Sequence, residues 1–356
     1  MSTAVLKFGG SSFPGPAAYR TVAEHLAERV AAGERLVVTV SAAPGETEQL
    51  RRRLHEVTAR PGEATVAGLL TLADTISAHL LAGALGAAGR SAVVLAGHQM
   101  GFVTAGSPMW ARLERMDRGP LEAALAEHEV VLLPGGQAVD AAGRPTWLGK
   151  NSSDLTAIAA ASALGVSRCE IYSDVDGVYT ADPRLVPEAR LVPEISYDTV
   201  GMLSLRGARV LHGRAVRMAH RHGVAIVCRA NRPPFASGTV ITESGAPVAA
   251  VVVNPSSMVV RFPTTLDSDR AHAAFSQAGI EALRLDSEPV VVIANGHVDA
   301  EGFLADHDLP GKVTKEIPVT EVDGGATRTH LAPGIESGVE LARELHRKLV
   351  TERRKQ

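Results

Sequence analysis

AVLKFGGSSFPGPAAYRTVAEHLAERVAAGERLVVTV, residues 4–40, reads as strand, glycine loop, helix, glycine and strand. Ala4–Phe8 and Arg35–Val40 are short apolar, β-branched runs, and Ala17–Ala31 between them has apolar residues at helical spacing. Strands this apolar, joined by a helix, belong to a parallel sheet covered on both faces. The alternation continues with strands expected at Ser91–Ala96, Val130–Leu133, Glu170–Asp174 and Val224–Cys228. Helices are expected at Ala64–Leu85, Leu121–Glu127, Ser153–Leu164 and Ala208–Arg221, with Gly33, Gly86, Gly165 and Gly223 placed to end helices. The fold class is α/β.

Beyond Gly238 the texture changes. Met258–Phe262, Ser268–Gln277, Glu281–Asp286, Pro289–Ala294, Asp299–Asp306 and Lys312–Val322 read as βαββαβ, the ferredoxin-like order, preceded by a strand at Ala249–Val253. Prolines and glycines between Asn231 and Val248 mark a linker. The division expected is residues 1–242, a small α+β domain at 249–325, and a tail at 333–356 whose charged helix, Val339–Arg353, reads as solvated with a basic end available to a subunit.

At roughly 150 residues per domain, 356 residues suit about two domains. The 36 Lys and Arg against 39 Asp and Glu leave a formal charge of −3, which provides no basic footprint for nucleic acid or anionic lipid. Aromatics at 4% are too few for a base-stacking surface. No uninterrupted run reaches the ~18 apolar residues of a membrane span, and the opening MSTAVLKFGG is too short in apolar residues for a secretory leader. A cytoplasmic location is expected, with Cys169 and Cys228 as buried, reduced thiols. The histidines show no metal-ligand spacing, so no protein metal site is expected. Small molecules and copies of itself remain as partners.

Four stretches combine small, hydroxyl and charged residues where strands end. In Lys7-Phe8-Gly9-Gly10-Ser11-Ser12 the glycines let backbone N–H groups approach an anion beside the Lys7 charge, although alone this reads equally as a glycine turn next to an exposed lysine. Ser41, Gly45 and Thr47 follow the second strand, at the edge where open α/β sheets bind ligands. Leu148-Gly149-Lys150-Asn151-Ser152-Ser153-Asp154 enters an alanine-rich helix, as an anion site at a helix N-terminus or as an ordinary capping loop. Tyr172–Arg184, YSDVDGVYTADPR, is dense in carboxylates and hydroxyls and is either a tight turn or a ligand loop.

In their order, KFGGSS, VSAAPGET, LGKNSSDLTA, YSDVDGVYTADPR and LRGARVLH resemble the aspartate kinases of the amino acid kinase superfamily, over about residues 4–242. The remainder resembles one ACT domain, a regulatory βαββαβ module usually present twice in these enzymes, with the second copy absent or reduced. The resemblance implies a three-layer αβα domain that uses ATP and Mg²⁺ to phosphorylate an amino acid carboxylate, with the metal carried by the nucleotide, and a homodimer through the ACT-like domain. It implies that Lys7 stabilises the transferring phosphoryl group, that Gly9, Gly10 and Ser11 cradle phosphates, and that Asp154 organises the site. Ser173, Asp174, Tyr179, Asp182, Arg184 and Arg209 would hold nucleotide, and Ser41, Thr47, Asp74, Lys150 and Ser153 the amino acid.

The departures from the family pattern fall on the acceptor side. Lys150 stands where the family has a carboxylate-clamping arginine, Asn151 and Ser152 replace glycines, and Asp74 replaces a glutamate. Arginine grips a carboxylate through a planar fork, whereas lysine is a point charge. An acceptor other than aspartate and a non-catalytic regulatory subunit are the competing readings.

Overall fold

The computed structural model describes residues 2–208, 211–246, 248–278, 280–286, 288–294 and 298–352. They pack as two compact units, Met1–Gly177 with Arg214–Glu243, and Val178–Gly213 with Ser244–Gln356.

The first unit begins with β1 (Ser2–Phe8), α1 (Pro16–Ala31), β2 (Glu34–Val40), α2 (Glu46–Val57) and α3 (Glu63–Ala87). It continues with β3 (Ala92–Val94), β4 (Phe102–Ala105), β5 (Arg112–Met116), α4 (Gly119–Glu127), β6 (Val130–Pro134), β7 (Gln137–Asp140), β8 (Pro145–Trp147), α5 (Ser153–Leu164) and β9 (Arg168–Ser173). The chain forms β10 (Glu194–Ser196) and α6 (Tyr197–Leu205) in the second unit, then runs through α7 (Gly213–His222) into β11 (Ala225–Ala230) and β12 (Ser237–Thr242) of the first.

The large sheet of this unit runs β12-β11-β9-β1-β2-β6-β3, parallel except for β12. Leu6, Phe8, Leu36, Val38, Val40 and Leu132 face α1 and α3, burying Tyr19, Val22, Leu26, Ala78, Leu81 and Leu85. Because side chains alternate across a strand, Val5 and Lys7 point the other way, toward α5. α5 packs on β1, β2 and β9, and its run from Leu155 to Ala161 is buried on every side, which the small alanine side chains permit. A smaller sheet, β5-β4-β7-β8, was not foreseen, since its strands are short and half polar.

α3 has the length and apolar composition to cross a membrane, but half of that apolar stretch is buried within the protein. Its Val66, Leu70, Leu81 and Leu85 enter cores, and Asp74 sits buried at its middle. Gly86 lies inside this helix rather than after it, and Gly89, with φ +71°, takes the left-handed turn beyond it.

In the second unit β14 (Met258–Arg261), α8 (Thr265–Gln277), β15 (Ala282–Leu285), β16 (Val290–Ile293), α9 (Ala300–Asp306) and β17 (Lys312–Val313) follow β13 (Ala249–Val253). The βαββαβ module forms an antiparallel sheet in the order β15-β16-β14-β17 over a core of Val260, Phe275, Val291, Ile293 and Leu304. Thr264 and Asp299 cap its two helices through their side-chain oxygens.

The expected strand Lys312–Val322 is two strands. Lys312 and Val313 close the module, whereas β18 (Ile317–Asp323) pairs with β13 and with β19 (Ala326–Ala332) in a separate three-stranded sheet. Because β13 and β18 flank the module in sequence, the module is an insertion into this smaller sheet. The expected tail helix is α10 (Ile335–Glu352), and it is not merely solvated: Ala342, Leu345 and His346 are buried, with the first two in a core shared with Val251, Val253, Ile317 and Val319.

Candidate active site

The parallel strands of the first unit all end at one edge of the sheet, and that topology brings residues distant in sequence together there. Lys7 sits one residue from the end of β1 and Asp154 in the first turn of α5, where a carboxylate complements the helix dipole. Lys7 Nζ lies 2.7 Å from Asp154 Oδ1, with both residues less than a tenth exposed. Beside them Ser41 Oγ, just past β2, donates to Ser153 Oγ at 2.7 Å.

Gly135 makes this approach possible. A Cβ on Gly135, after β6, would lie 2.5 Å from the Ser153 Cβ, so only glycine admits the first turn of α5 to the strand edge. The Gly-Gly pair directly after an apolar strand was the available signal.

The glycine loop corrects one expectation. Gly9 N–H donates to Tyr172 O at 3.1 Å and is therefore spent on the β9 backbone rather than left for a phosphate. Ser12 N–H donates to Gly9 O and Phe13 N–H to Gly10 O, closing a 3₁₀ turn at Gly10–Ser12. Gly10 and Ser11 are the first two residues of that turn, the positions whose N–H groups have no partner within a helical turn. A Cβ on Gly10 would meet Ala42 O at 2.6 Å. Gly10→Ala is accordingly expected to displace the loop and lower the melting temperature by several degrees, measured by thermal unfolding.

On the acceptor side Asp74 Oδ1 accepts from Ala42 N–H at 2.9 Å. Burial pushes its carboxyl up to about 7, against the lowering effects of the Ala42 amide and the Lys7 charge. Glu46, at the first position of α2, adds to that rise, and its Oε2 is buried with no hydrogen-bond partner among the described residues. Glu46 is not among the residues that the sequence singles out, nor is α2, the helix that it starts. Thr47 follows Glu46, partly exposed.

Lys150 is exposed on a loop shaped by Gly149, φ +100°, and Asn151, φ +61°, a left-handed conformation that non-glycine residues rarely adopt. Ser152 Oγ ties the loop by donating to Gly149 O at 2.5 Å. From α7, Arg214 donates to Leu148 O at 2.9 Å and to Ala111 O at 2.8 Å, fastening the strand before the loop. Nothing local in the sequence marks Arg214 for that task.

The stretch Tyr172–Arg184 divides between the two units. Ser173 Oγ donates to Val175 O at 2.6 Å, closing a turn, and Asp174 is exposed at the end of β9. Tyr179, Asp182 and Arg184 belong to the second unit, where Arg184 Nη2 and Asp182 Oδ2 pair at 3.0 Å. Arg209 lies outside the described residues.

Under the opposite sheet face Glu170 accepts from Tyr172 Oη at 2.9 Å and pairs with Arg29 at 2.9 Å and Arg229 at 2.7 Å. Those guanidiniums hold its carboxyl below the usual range although burial opposes them. This network locks α1, β9 and β11 together. Cys169 and Cys228 are buried free thiols, both pushed up by burial and so poor nucleophiles. Among the described residues no group of three or more His, Cys, Asp or Glu is gathered to hold a metal ion.

A buried lysine–carboxylate pair, a glycine turn and the N-terminus of α5 meet at one edge of the sheet of this α/β domain. The model of the amino acid kinase family matches residues 2–230, and the chain belongs to that family, on its aspartokinase branch. An aspartokinase of Helicobacter pylori is 33% identical over 330 residues, 92% of this chain and 80% of its own length. One from Thermus thermophilus is 37% identical over 243 residues, 68% of this chain and 60% of its own. The aspartate kinase of Synechocystis superposes with a TM-score of 0.59 at 26% identity, covering 91% of this chain and 60% of that one. Aspartokinase III of E. coli, solved with aspartate and ADP, superposes with a TM-score of 0.73 at 20% identity over 98% of this chain and all of that one, a likeness of fold.

Proposed function

We propose that this chain transfers the γ-phosphoryl group of ATP to the side-chain carboxylate of aspartate, giving 4-phospho-aspartate and ADP. The observation that carries the reading is the buried Lys7–Asp154 pair beside the Gly10–Ser12 turn at the sheet edge, within the stretch that the family model matches. A carboxylate oxygen attacks the γ-phosphorus, the bond to the β–γ bridging oxygen breaks, and ADP leaves with that electron pair. Such chemistry asks the protein mainly for position and charge. Lys7 neutralises the transferring group, Asp154 holds the lysine in place, and the Gly10 and Ser11 N–H groups bind phosphate oxygens. Magnesium, which the nucleotide would bring with it, would supply further neutralisation of phosphate charge. Asp74 and Glu46 suit the substrate ammonium, and Ser41, Thr47 and Lys150 its carboxylates.

The test is ADP release by purified protein with Mg-ATP and a panel of amino acids, with hydroxylamine present to trap acyl phosphates. Aspartyl hydroxamate supports the reading, and no hydroxamate from any acid overturns it. Exposed Lys150 and buried Asp74 favour a second reading, an acceptor related to aspartate but larger or differently charged. Lys150→Arg separates the two: with aspartate native, kcat/KM for aspartate rises about fivefold as a planar fork replaces a point charge. No rise, together with activity on another acid, assigns that acid instead. A cytoplasmic homodimer, joined through the βαββαβ module, completes the proposal, and light scattering at micromolar protein measures that state.

A further inference from the structure

The loop that carries Tyr179, Asp182 and Arg184 is held in an unusual way. Thr180 lies between the first two of these residues and collects four hydrogen bonds. Its N–H donates to Arg190 O at 2.9 Å, and its carbonyl accepts from Val251 N–H of β13 at 2.8 Å. Its Oγ1 accepts from Arg190 N–H at 2.9 Å and lies 2.8 Å from Nε2 of His346 on α10.

The surroundings reinforce this anchor. Val192 N–H donates to Val178 O at 2.8 Å, closing the loop as a hairpin, and Arg343 Nε of α10 donates to Leu185 O at 2.8 Å. Ala181 and Val186 pack with Val251, Val253, Ala342 and Leu345. His346 is 2% exposed, so its imidazole sits in a position that packing alone would fill with an apolar side chain. A buried polar group is retained where its hydrogen bond selects one conformation, because leaving it unpaired is costly.

We propose that α10, through His346, sets the conformation of the nucleotide loop, which makes His346 and Thr180 positioning residues for nucleotide binding. The proposal rests on the reading of Tyr179, Asp182 and Arg184 as nucleotide ligands. It gives the C-terminal helix a task in the reaction, and it gives β13 a direct bond to the same loop residue. The βαββαβ module follows β13 in the chain, and Val251 of β13 bonds Thr180 directly.

The experiment compares the full chain with its His346→Ala, His346→Gln and Thr180→Val variants, measuring KM for Mg-ATP, KM for the amino acid, kcat and melting temperature. Losing one buried hydrogen bond is expected to raise the Mg-ATP KM about fivefold in His346→Ala, while the amino acid KM and kcat stay within about twofold. His346→Gln keeps an amide nitrogen within reach of Thr180 and recovers most of the loss, and Thr180→Val, nearly isosteric, reproduces it. Should His346→Ala fail to fold, Thr180→Val supplies the same measurement. A Mg-ATP KM unchanged in a folded variant overturns the proposal, as does an equal rise in both KM values that tracks the melting temperature. If the wild type phosphorylates no amino acid, the kinase reading falls on its own. Calorimetry with a non-hydrolysable ATP analogue then decides the positioning claim by the same fivefold criterion.

Discussion

Replacing Lys7 by alanine is expected to lower kcat about a thousandfold, the scale seen when a preorganised charge or donor is removed from a transferring group. The variant loses stability as well, because Asp154 is left buried without the ammonium 2.7 Å away. Breaking a buried pair by removing one partner costs about 3–5 kcal/mol, whereas neutralising both partners is far milder. The two effects therefore separate. Lys7→Met with Asp154→Asn should recover most of the melting temperature that Lys7→Met alone loses, while kcat stays as low as in the single variant. If the double variant regained activity along with stability, Lys7 would be a structural cation and the proposed phosphoryl contact would be wrong. Steady-state kinetics and thermal unfolding on the same three proteins settle the matter.

The second large effect belongs to Asp74 and is written in pH. Its carboxyl is raised by burial from 3.8 to about 7, so between those values the folded chain holds a proton that the unfolded chain has released. Stability contributed by this group is complete below about pH 4 and is lost as pH rises through about 7. At ~1.4 kcal/mol per pKa unit, the ceiling on that loss by pH 8 is about 4 kcal/mol. Asp74→Asn removes the titration, so its melting temperature should exceed that of the wild type at pH 8 and match it near pH 4.

Substrate binding carries the opposite sign. An ammonium group pairs with the ionised carboxylate, so the amino acid KM of the wild type should fall as pH rises from 6 to 8. The asparagine variant should show a KM raised roughly 10- to 100-fold at pH 8, the worth of a charge-assisted hydrogen bond, with a flat profile. A wild-type KM that does not move across this range would remove Asp74 from the ammonium site.

Much of the first unit is legible in its sequence because periodicity and strand-end chemistry are local signals. The apolar run Ala4-Val5-Leu6 leading into KFGGSS announces a buried strand and a glycine loop, and the helix expected at Ser153–Leu164 forms over those same residues. The Lys7–Asp154 pair was anticipated as two residues of one site, although 147 positions separate them, because the motif order carried that information. Gly9 was misassigned because its amide goes to Tyr172 O, a partner that exists only once β9 lies beside β1. Glu46 and Arg214 were missed for a related reason: a buried, unpartnered oxygen and a guanidinium shared by two distant carbonyls leave no periodic trace.

By itself the sequence determined the α/β class, the ferredoxin-like module, the family and the chemical types present at the strand ends, all of which follow from residue spacing along the chain. Only the tertiary structure decided which of those groups are paired and buried. It placed Asp74 in an environment that moves its titration to about 7, and it turned a tail that reads as solvated into the helix that holds Thr180. The physical reason is common to both cases. Burial and hydrogen-bond partnership are properties of neighbours brought from far along the chain, and desolvation acts only after the fold has excluded water.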